Sequence, residues 1–430
     1  MKRFALILSS LTIFASSWAL IFHGVATPPG GEQAWVVTIE TTGVFRTTDF
    51  GLSWQPVDIP TIRDFFDVFF LTPDSGWTCG RAGDIWRTTN GGDSWFRVNL
   101  GGPKHAARIR FFDPEFGWAA GGDIVQLKST TGGAEWEQIF LRVPPFPTGD
   151  TAEFQGVWFV DRNYGWLVAG HWPSGDTFLG GQGIIARTRD GGIAENWEVV
   201  RRDNNYDFYD VYFADSLRGW VVGGDDRNFR AVVLHTTDGG NTWVEQTVPA
   251  EARFLRALKF VSPTKGWACG RNGTIIYTSD GGNTWVNQVS GAESTLFDID
   301  FADSLHGMAA GNGVVVKTID GGATWQVCFS GLQEQSNGRL FNGQAIRCLA
   351  TMGRRITFII DEQKRNGAIE IWDLFGRQVA TIKTGANRKS VVWNGIGFDG
   401  QPVKTGVYFC RLQGVVSSGV KFVLIGSESK

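Results

Sequence analysis

Short apolar runs alternate along most of the chain with turns rich in glycine, aspartate and asparagine. In one stretch the apolar runs lie at 255–261, 267–269, 274–278 and 284–288, and an Arg-Asn-Gly turn at 271–273 separates the second run from the third. Such runs, bounded by turn residues, are typical of β-strands joined by tight connections. The pattern therefore predicts a unit of four short antiparallel strands.

This unit recurs, and each copy ends in the motif Ser/Thr-x-Asp-x-Gly-x-Ser/Thr-Trp, here called the Asp box. The closing tryptophans stand at positions 54, 95, 136, 197, 243, 285 and 325, at intervals of 41, 41, 61, 46, 42 and 40 residues. A Gly-Trp pair recurs inside most units. A period of about 40–45 residues is that of a four-stranded propeller blade. Residues 33–352 are therefore predicted to form a seven-bladed β-propeller.

The box is expected to staple the turn between the third and fourth strands of a blade. Its Asp can accept hydrogen bonds from its own turn, its glycines can take positive φ, and its Trp can pack between sheets. The third copy is degenerate, with Thr131 at the Asp position. The residues assigned to this structural role are Asp49, Trp54, Asn90, Trp95, Asp190, Asp238, Trp243, Asp280, Trp285, Asp320 and Trp325.

Ring closure needs a further strand, because the first copy starts at its second strand, at 34–38. The segment 344–350 follows the last box and is apolar enough to fill the empty first-strand position. We expect it to join the last part of the propeller to the first, which would remove the exposed sheet edges.

After residue 354 the boxes stop and six strand-like runs follow, at 356–360, 368–372, 378–383, 390–393, 406–412 and 419–425. Residues 354–430 are expected to form a small Ig-like β-sandwich. The predicted fold class is therefore all-β, a seven-bladed propeller followed by a small sandwich.

The N-terminus carries the pattern of a secretory signal peptide at 1–26. Lys2 and Arg3 precede an apolar run to about Phe22, and Gly24 and Ala26 supply small residues at a cleavage site. A membrane anchor is the alternative, but no stable membrane span is expected after cleavage. Export through the periplasm to the cell surface or the medium is the expected route.

Composition narrows the function without naming it. The net charge of −3 argues against bulk nucleic-acid binding. The five cysteines form no metal-ligand spacing, and Cys79 and Cys269 occupy equivalent repeat positions as small buried hydrophobes. We expect no metal and no cofactor.

Catalysis would need paired carboxylates near the central channel. Asp67, Asp210 and Asp298 are the candidates, and each lies ten residues before the second position of its Gly-Trp pair. Because they share one column of the repeat, the preferred interpretation is structural, and they are catalytic only if the protein is an enzyme.

A binding surface is the preferred functional hypothesis. The loops on the face opposite the Asp boxes are rich in arginine and aromatic residues, which are enriched in protein interfaces. Insertions at 141–151 and 171–181 fall on the same face. The candidate binding residues are Arg63, Arg81, Arg108, Trp172, Arg201, Arg202, Tyr206 and Arg271.

The repeats resemble BNR/Asp-box repeats. The fuller unit, with its Asp-x-x-Phe, Gly-Trp and Thr-x-Asp-Gly-Gly-x-Thr-Trp elements, is similar to the Ycf48-like propellers related to photosystem II stability/assembly factors. The C-terminal segment resembles a type IX secretion sorting domain, through Ile371 to Arg377, Trp393-Asn394-Gly395 and Lys404 to Phe409. The second resemblance implies delivery by the outer-membrane secretion machinery.

Together these features favour an exported, non-catalytic recognition module that binds a protein or polysaccharide. Two alternatives remain open. One is a secreted glycoside hydrolase of the Asp-box propeller type. The other is an assembly factor for a membrane complex, as the Ycf48-like resemblance implies.

Overall fold

The structure is a computed structural model, and it describes part of the chain. The described residues are 20–424 apart from 40–42, 58, 60, 62–63, 99–104, 123–124, 141–152, 171–182, 194–195, 226–227, 331–345, 351–355, 361–366, 374–376, 385–389, 404–405 and 413–419. The candidate residues Arg63 and Trp172 and both insertions, 141–151 and 171–181, lie outside them.

Seven antiparallel sheets of four consecutive strands occupy Leu20–Gly331, one of two compact units of the chain. Their strands are, blade by blade, β1–β4 (Ile21–Ala26, Ala34–Ile39, Gly43–Thr47, Gln55–Val57), β5–β8 (Phe65–Phe70, Gly76–Gly80, Ile85–Thr88, Phe96–Val98), β9–β12 (Ala106–Phe111, Gly117–Gly121, Val125–Ser129, Glu137–Phe140), β13–β16 (Glu153–Phe159, Gly165–Gly170, Gly183–Thr188, Glu198–Asp203), β17–β20 (Asp207–Phe213, Gly219–Asp225, Arg230–Thr236, Val244–Glu245), β21–β24 (Leu255–Phe260, Gly266–Gly270, Thr274–Thr278, Val286–Val289) and β25–β28 (Leu296–Phe301, Gly307–Gly311, Val314–Thr318, Gln326–Ser330).

The first strands of the blades form the inner wall of a closed ring. Each contacts the first strand of the next blade, and β25 of the seventh blade contacts β1 of the first. The predicted all-β class and seven-bladed propeller are therefore confirmed. The turns between first and second strands lie on the same face as the Asp-box turns, here called the box face. The remaining connections lie on the opposite face, here called the loop face.

The predicted closing strand is wrong. The first strand of blade one is β1, which pairs antiparallel with β2, so this blade is built from four consecutive strands like the others. The segment expected to fill that position contains strand β29 (Ile346–Ala350), which pairs instead with β30 (Ile356–Ile360). The sequence pattern misled because β1 lies inside the segment 1–26 assigned to the signal peptide.

The signal-peptide boundary after Ala26 conflicts with this strand. Cleavage there would remove all of β1, whose Phe22 and Val25 are buried in the core. It would also remove Leu20, whose carbonyl accepts a hydrogen bond from Gly313 N at 2.9 Å across the ring closure. The propeller therefore starts upstream of the predicted cleavage site.

Aromatic stacking holds neighbouring blades together. The Trp of each Gly-Trp pair lies on a Phe that ends the first strand of the next blade, as Trp77 lies on Phe111 with ring centroids 3.6 Å apart. The closing Trp of the box meets the same Phe edge-on, as Trp136 meets Phe111 at 5.7 Å. The edge-on pair is an arrangement that the aromatic quadrupole favours, whereas the stacked pair lies nearly face to face and contributes buried area and dispersion. The Trp of one blade's Gly-Trp pair and the box Trp of the next blade thus contact the same Phe and form one joint between the two blades.

The glycine of the Gly-Trp pair has a steric role in this joint. A Cβ on Gly266 would lie 2.5 Å from the ring of Phe260, which is closer than any real Cβ contact. The glycine therefore leaves space for the phenylalanine ring of its own blade. The same clash occurs at Gly76, Gly117, Gly165, Gly219 and Gly307.

The junction between blades seven and one is built differently. Met308 stands at the Trp position and Thr27 at the Phe position. Thr27 N and Oγ1 donate to Asp300 Oδ2 at 2.7 and 2.9 Å, and Lys317 Nζ donates to the carbonyl of Phe50 at 2.7 Å. Phe329 of β28 adds a different aromatic contact, since Trp54 of blade one stacks on it at 5.3 Å.

The Asp box is stapled by two side chains. In the sixth blade, Thr278 Oγ1 accepts from Gly282 N at 2.7 Å and donates to Asp280 Oδ1 at 2.8 Å. Asp280 in turn accepts from the backbone N–H and the hydroxyl of Thr284. The equivalent hydroxyl accepts the glycine N–H in all seven blades. The predicted staple named the Asp, the glycines and the Trp of the box but not the Thr, which makes the buried hydrogen bond.

The strands after the propeller form a second unit of two antiparallel sheets. One sheet has the order β29-β30-β33 and the other β32-β31-β34-β35. The strands not yet given are β31 (Gly367–Asp373), β32 (Gln378–Thr384), β33 (Ser390–Trp393), β34 (Gly406–Leu412) and β35 (Val420–Leu424). Ile369, Ile371, Trp393 and Cys410 belong to its buried core.

Two further observations concern the described residues. None of them forms a helix long and apolar enough to span a membrane. Cys79 and Cys269 are buried, as expected, and burial raises the pKa of both thiols.

Replacing Thr278 by Val should lower the free energy of unfolding by about 1–3 kcal/mol, because the buried N–H of Gly282 loses its acceptor. Replacing Asp280 by Ala should cost less, since Asp280 is only half-buried and water can reach its hydrogen bonds with Thr284. Urea unfolding followed by tryptophan fluorescence measures both changes. A larger loss for Asp280→Ala than for Thr278→Val would contradict this division of roles.

Candidate functional site: the central channel

Three columns of residues on the first strands line the channel. Each column takes one residue from every blade, at equivalent positions in the strand register. From the loop face to the box face they are the bulge column (His23, Phe66, Ala107, Gln155, Tyr209, Arg256, Phe297), the tie column (Gly24, Asp67, Arg108, Gly156, Asp210, Ala257, Asp298) and the mouth column (Ala26, Phe69, Arg110, Trp158, Tyr212, Lys259, Asp300).

The aspartates of the tie column fasten adjacent blades to one another. Asp67 Oδ2 accepts from Ile109 N at 2.9 Å, and Asp210 Oδ2 accepts from Leu258 N at 3.0 Å. Asp298 Oδ2 accepts from Val25 N at 2.9 Å, which fastens the seventh blade to the first. Each carboxylate thus binds a backbone N–H of the next inner strand.

Arg108 occupies the same column and joins two of these aspartates. Its Nη1 lies 2.9 Å from Asp298 Oδ1 and 3.4 Å from Asp67 Oδ1, and Arg110 Nη1 lies 2.6 Å from Asp67 Oδ2. Arg108 is buried, so the prediction that it belongs to an exposed binding face is wrong. It neutralises carboxylates that the ring would otherwise bury as bare charges.

The catalytic candidates therefore lie in one buried cluster. Burial raises the pKa of Asp298 to about 6, although the nearby Arg108 opposes the shift. Both oxygens of Asp67 and of Asp210 accept backbone hydrogen bonds. Such fully engaged carboxylates fit the structural interpretation of this column, and a catalytic role gains no support from their geometry.

The bulge column interrupts the regular pairing of every first strand. In each blade one residue is inserted before the tie position, as at Arg256, where the register shifts between Leu255 and Ala257. A β-bulge leaves its extra residue unpaired and redirects its side chain. His23 stacks on Phe297 at 5.3 Å and bonds through Nδ1 to the carbonyl of Phe66 at 2.7 Å. Burial lowers the pKa of His23 to about 4, so its ring is neutral at pH 7.

Two arginines and three aromatic rings form a cluster at the loop-face end of blades five and six. The guanidinium of Arg256 lies 4.1 Å from the ring centroid of Tyr209 and 5.1 Å from that of Phe254. Arg271 lies 4.5 Å from Phe229 and 5.9 Å from Phe254. We call these five residues the arginine–aromatic cluster.

This cluster keeps its positive charge. Neither Arg256 nor Arg271 makes an ion pair with any residue that the structure describes, and Arg256 Nε is buried without a hydrogen-bond acceptor there. Aromatic faces attract guanidinium groups without neutralising them. The nitrogen edges of the two arginines therefore keep donors for an anionic group.

The other predicted binding residues are partly engaged on the same face. Arg81 pairs with Asp64 at 3.0 Å, Arg201 pairs with Asp203 at 2.7 Å, and Arg202 is exposed. The hydroxyl of Tyr206 contacts Arg230 and Glu245. Of the predicted face, Arg271 is thus the arginine whose setting most favours a ligand.

The box-face mouth of the channel opens into a cavity of about 760 Å³. Phe69, Arg110, Trp158, Lys259 and Asp300 from the mouth column line it. Lys259 Nζ lies 2.6 Å from Asp300 Oδ1, and Trp158 donates from Nε1 to the carbonyl of Phe213 at 2.9 Å. Sequence analysis did not single out this mouth.

A sequence signal for both channel ends exists in the repeat alignment. The position after the mouth column, which stacks on the Trp of the preceding blade, is Phe in six blades. The mouth column, in contrast, has a different residue type in each of the seven. Positions that the blade structure does not dictate are free to vary, so variation inside an otherwise regular strand marks residues available for a ligand. The bulges hid this signal, because they shift the period-two alternation by one residue.

Comparison with known proteins agrees with the propeller. A family model described as photosynthesis system II assembly factor YCF48 matches residues 47–152 and 190–290. The match covers a little less than half of the chain and lies within the propeller, so the propeller is similar to this family. The photosystem II stability/assembly factor HCF136 of Arabidopsis thaliana is 35% identical over 79 residues, which are 18% of this chain and 20% of that protein. The chain thus spans about a fifth of the length of this curated relative.

Two solved structures share the fold of this propeller. YCF48 from Cyanidioschyzon merolae superposes with a TM-score of 0.51 at 18% identity, covering 70% of this chain and 95% of that one. A YCF48 bound to a D1 peptide gives a TM-score of 0.53 at 19% identity, covering 70% and 92%. At these identities the likeness concerns the fold.

Replacing Asp298 by Asn should make the free energy of unfolding rise more steeply with pH between about 4 and 6. The pKa of Asp298 is raised from 3.8 to about 6, so its contribution is complete below pH 4 and is lost as pH rises through 6. His23 has the opposite effect on the free energy of unfolding. Its pKa is lowered from 6.5 to about 4, so the folded state holds neutral His23 and gains stability as pH rises over this interval. The Asp298→Asn variant keeps only this contribution of His23.

Urea unfolding at several pH values measures this change. The difference between variant and wild type should change by on the order of 2 kcal/mol across the interval. Asp113→Asn is the control, because the pKa of Asp113 is lowered below 3.8 by bonds from Arg162 and its own turn. Parallel curves for Asp298→Asn and wild type would refute the titration of Asp298 in this range.

Proposed function

We propose that this Ycf48-like propeller is an exported, non-catalytic recognition module that binds a carboxylate-bearing protein segment on its loop face. The observation that carries the proposal is the arginine–aromatic cluster. Its two guanidinium groups lie on aromatic rings, and no carboxylate among the described residues neutralises them.

The chemistry of the cluster fits an acidic peptide. Guanidinium groups bind carboxylates through two parallel hydrogen bonds, and aromatic rings beside them provide apolar contact. Phe229 is 40% exposed at the rim of the cluster, so an apolar side chain of the ligand can pack there. The solved YCF48 with a bound D1 peptide supports a peptide as the class of ligand.

The proposed location is outside the cytoplasm. The support is the N-terminal signal pattern and the resemblance of the C-terminal unit to a type IX sorting domain. A cleavage site compatible with the propeller lies after Ala19, seven residues upstream of the site predicted after Ala26. Ser17 and Ala19 supply small residues at its −3 and −1 positions, and cleavage after Ala19 leaves Leu20 and β1 intact.

Replacing either Arg256 or Arg271 by Ala should weaken binding of an acidic peptide about tenfold or more, because each variant loses a charged hydrogen-bond donor. Fluorescence anisotropy with a labelled glutamate-rich peptide containing one tryptophan measures the affinity. Binding should also weaken as salt increases, since charged contacts on a surface are screened.

Arg218→Ala is the matched control for this experiment. Arg218 is exposed, lies in a box-face turn of blade five and pairs with Asp215 at 2.7 Å. Its loss should leave the peptide affinity unchanged, and a lysine-rich peptide should not bind. Equal affinities for wild type, Arg256→Ala and Arg271→Ala would overturn the proposed function.

The mature, exported protein should begin at Leu20. Mass spectrometry of its N-terminal peptide after expression of the full chain tests this, and Ala19→Tyr should block processing because a bulky residue does not suit the −1 position. A mature N-terminus at Thr27 on a folded propeller would contradict the prediction, since β1 would then be missing.

A further inference from the structure

We propose that the box-face mouth of the channel is a second binding site, for a neutral sugar ring of an oligosaccharide. The cavity of about 760 Å³ falls within the ~300–1,000 Å³ common for small-molecule sites. It lies on the face opposite the arginine–aromatic cluster, so this inference does not rest on the proposed function.

Trp158 provides the stacking surface. Its side chain is partly exposed in the cavity and is held from two sides, by the hydrogen bond from Nε1 to Phe213 O at 2.9 Å and by Tyr212 at 4.7 Å between ring centroids. An aromatic face carries partial negative charge. The C–H bonds on one face of a pyranose carry partial positive charge, so the two surfaces attract and exclude water.

Lys259 and Asp300 provide the polar contacts. Asp300 is fixed by Lys259 Nζ at 2.6 Å on Oδ1 and by both donors of Thr27 on Oδ2. The ammonium retains further donors, and the carboxylate retains lone pairs. A sugar hydroxyl both donates and accepts, so it can bond to both members of this pair.

The charge balance favours a neutral ligand over an ion. Lys259 and Asp300 neutralise each other, and Arg110 is held by the buried Asp67 at 2.6 Å. An anionic ligand would have to compete with Asp300 for Lys259, and a cationic one would have to compete with Lys259 for Asp300. A polyol adds hydrogen bonds without breaking the ion pair.

The blade repeat gives an independent reason to assign a ligand to this mouth. The mouth column carries seven different residue types, although the residue directly before it is Val, Ile or Leu in every blade and the residue after it is Phe in six. The blade fold therefore does not dictate these side chains. A sugar ring has different groups on its two faces and edges. A site with an ion pair on one side and aromatic side chains on another can therefore hold it in one orientation.

Saturation-transfer NMR and isothermal titration calorimetry on the full chain test the proposal. The probes are cellotetraose, laminaritetraose and chitotetraose, each added to millimolar concentration. At least one should bind, and both Trp158→Ala and Lys259→Met should weaken that binding at least tenfold. Thermal unfolding of each variant verifies that it is folded. If Trp158→Ala fails to fold, Trp158→Phe takes its place; this variant keeps an aromatic face and should retain part of the wild-type affinity.

Phe96→Ala is the matched control, because Phe96 is a 60% exposed aromatic on the outer strand β8, away from the channel. It should bind the sugar like wild type, and Trp158→Ala should bind the acidic peptide like wild type. No binding of any of the three probes would overturn the sugar site. Wild-type affinity in folded Trp158→Ala and Lys259→Met variants would overturn it as well.

Discussion

The stack of one tryptophan on the phenylalanine of the next blade is the contact on which the ring depends. Trp77, Trp166 and Trp267 each lie within 4 Å, centroid to centroid, of such a ring. The box Trp of that next blade meets the ring edge-on, and the Gly of the same blade's Gly-Trp pair leaves space for it. The two tryptophans of one blade, about 18 residues apart, therefore serve the two joints on either side of that blade, as Trp77 contacts Phe111 and Trp95 contacts Phe70.

Where this joint is absent, hydrogen bonds and a different aromatic contact take over. At the junction of blades seven and one, Thr27, Asp300 and Lys317 supply hydrogen bonds, and Phe329 of β28 packs against blade one. Asp298 adds a bond to Val25 from inside the channel. Because β1 takes part in this last closure of the ring, the start of the mature chain matters for the propeller.

The two ends of the channel differ in chemistry although the same strands build both. A bulge in each first strand places His23, Tyr209 and Arg256 toward the loop face, and the buried aspartates and Arg108 separate them from the mouth. One end is cationic and aromatic, whereas the other combines a neutral ion pair with aromatic rings. Because of this separation, the proposed peptide and sugar ligands would not compete for the same surface.

Sequence alone determined the blade count, the strand pattern and the position of the box, because these follow from local turn chemistry repeated at a fixed period. It also placed Asp67, Asp210 and Asp298 in one column. The tertiary structure decided what no local pattern contains: that β1 rather than 344–350 fills the first blade, that Arg108 is buried between two aspartates, and that Arg256 lies over Tyr209. These outcomes depend on contacts between blades, which are set by ring closure and by the one-residue bulges.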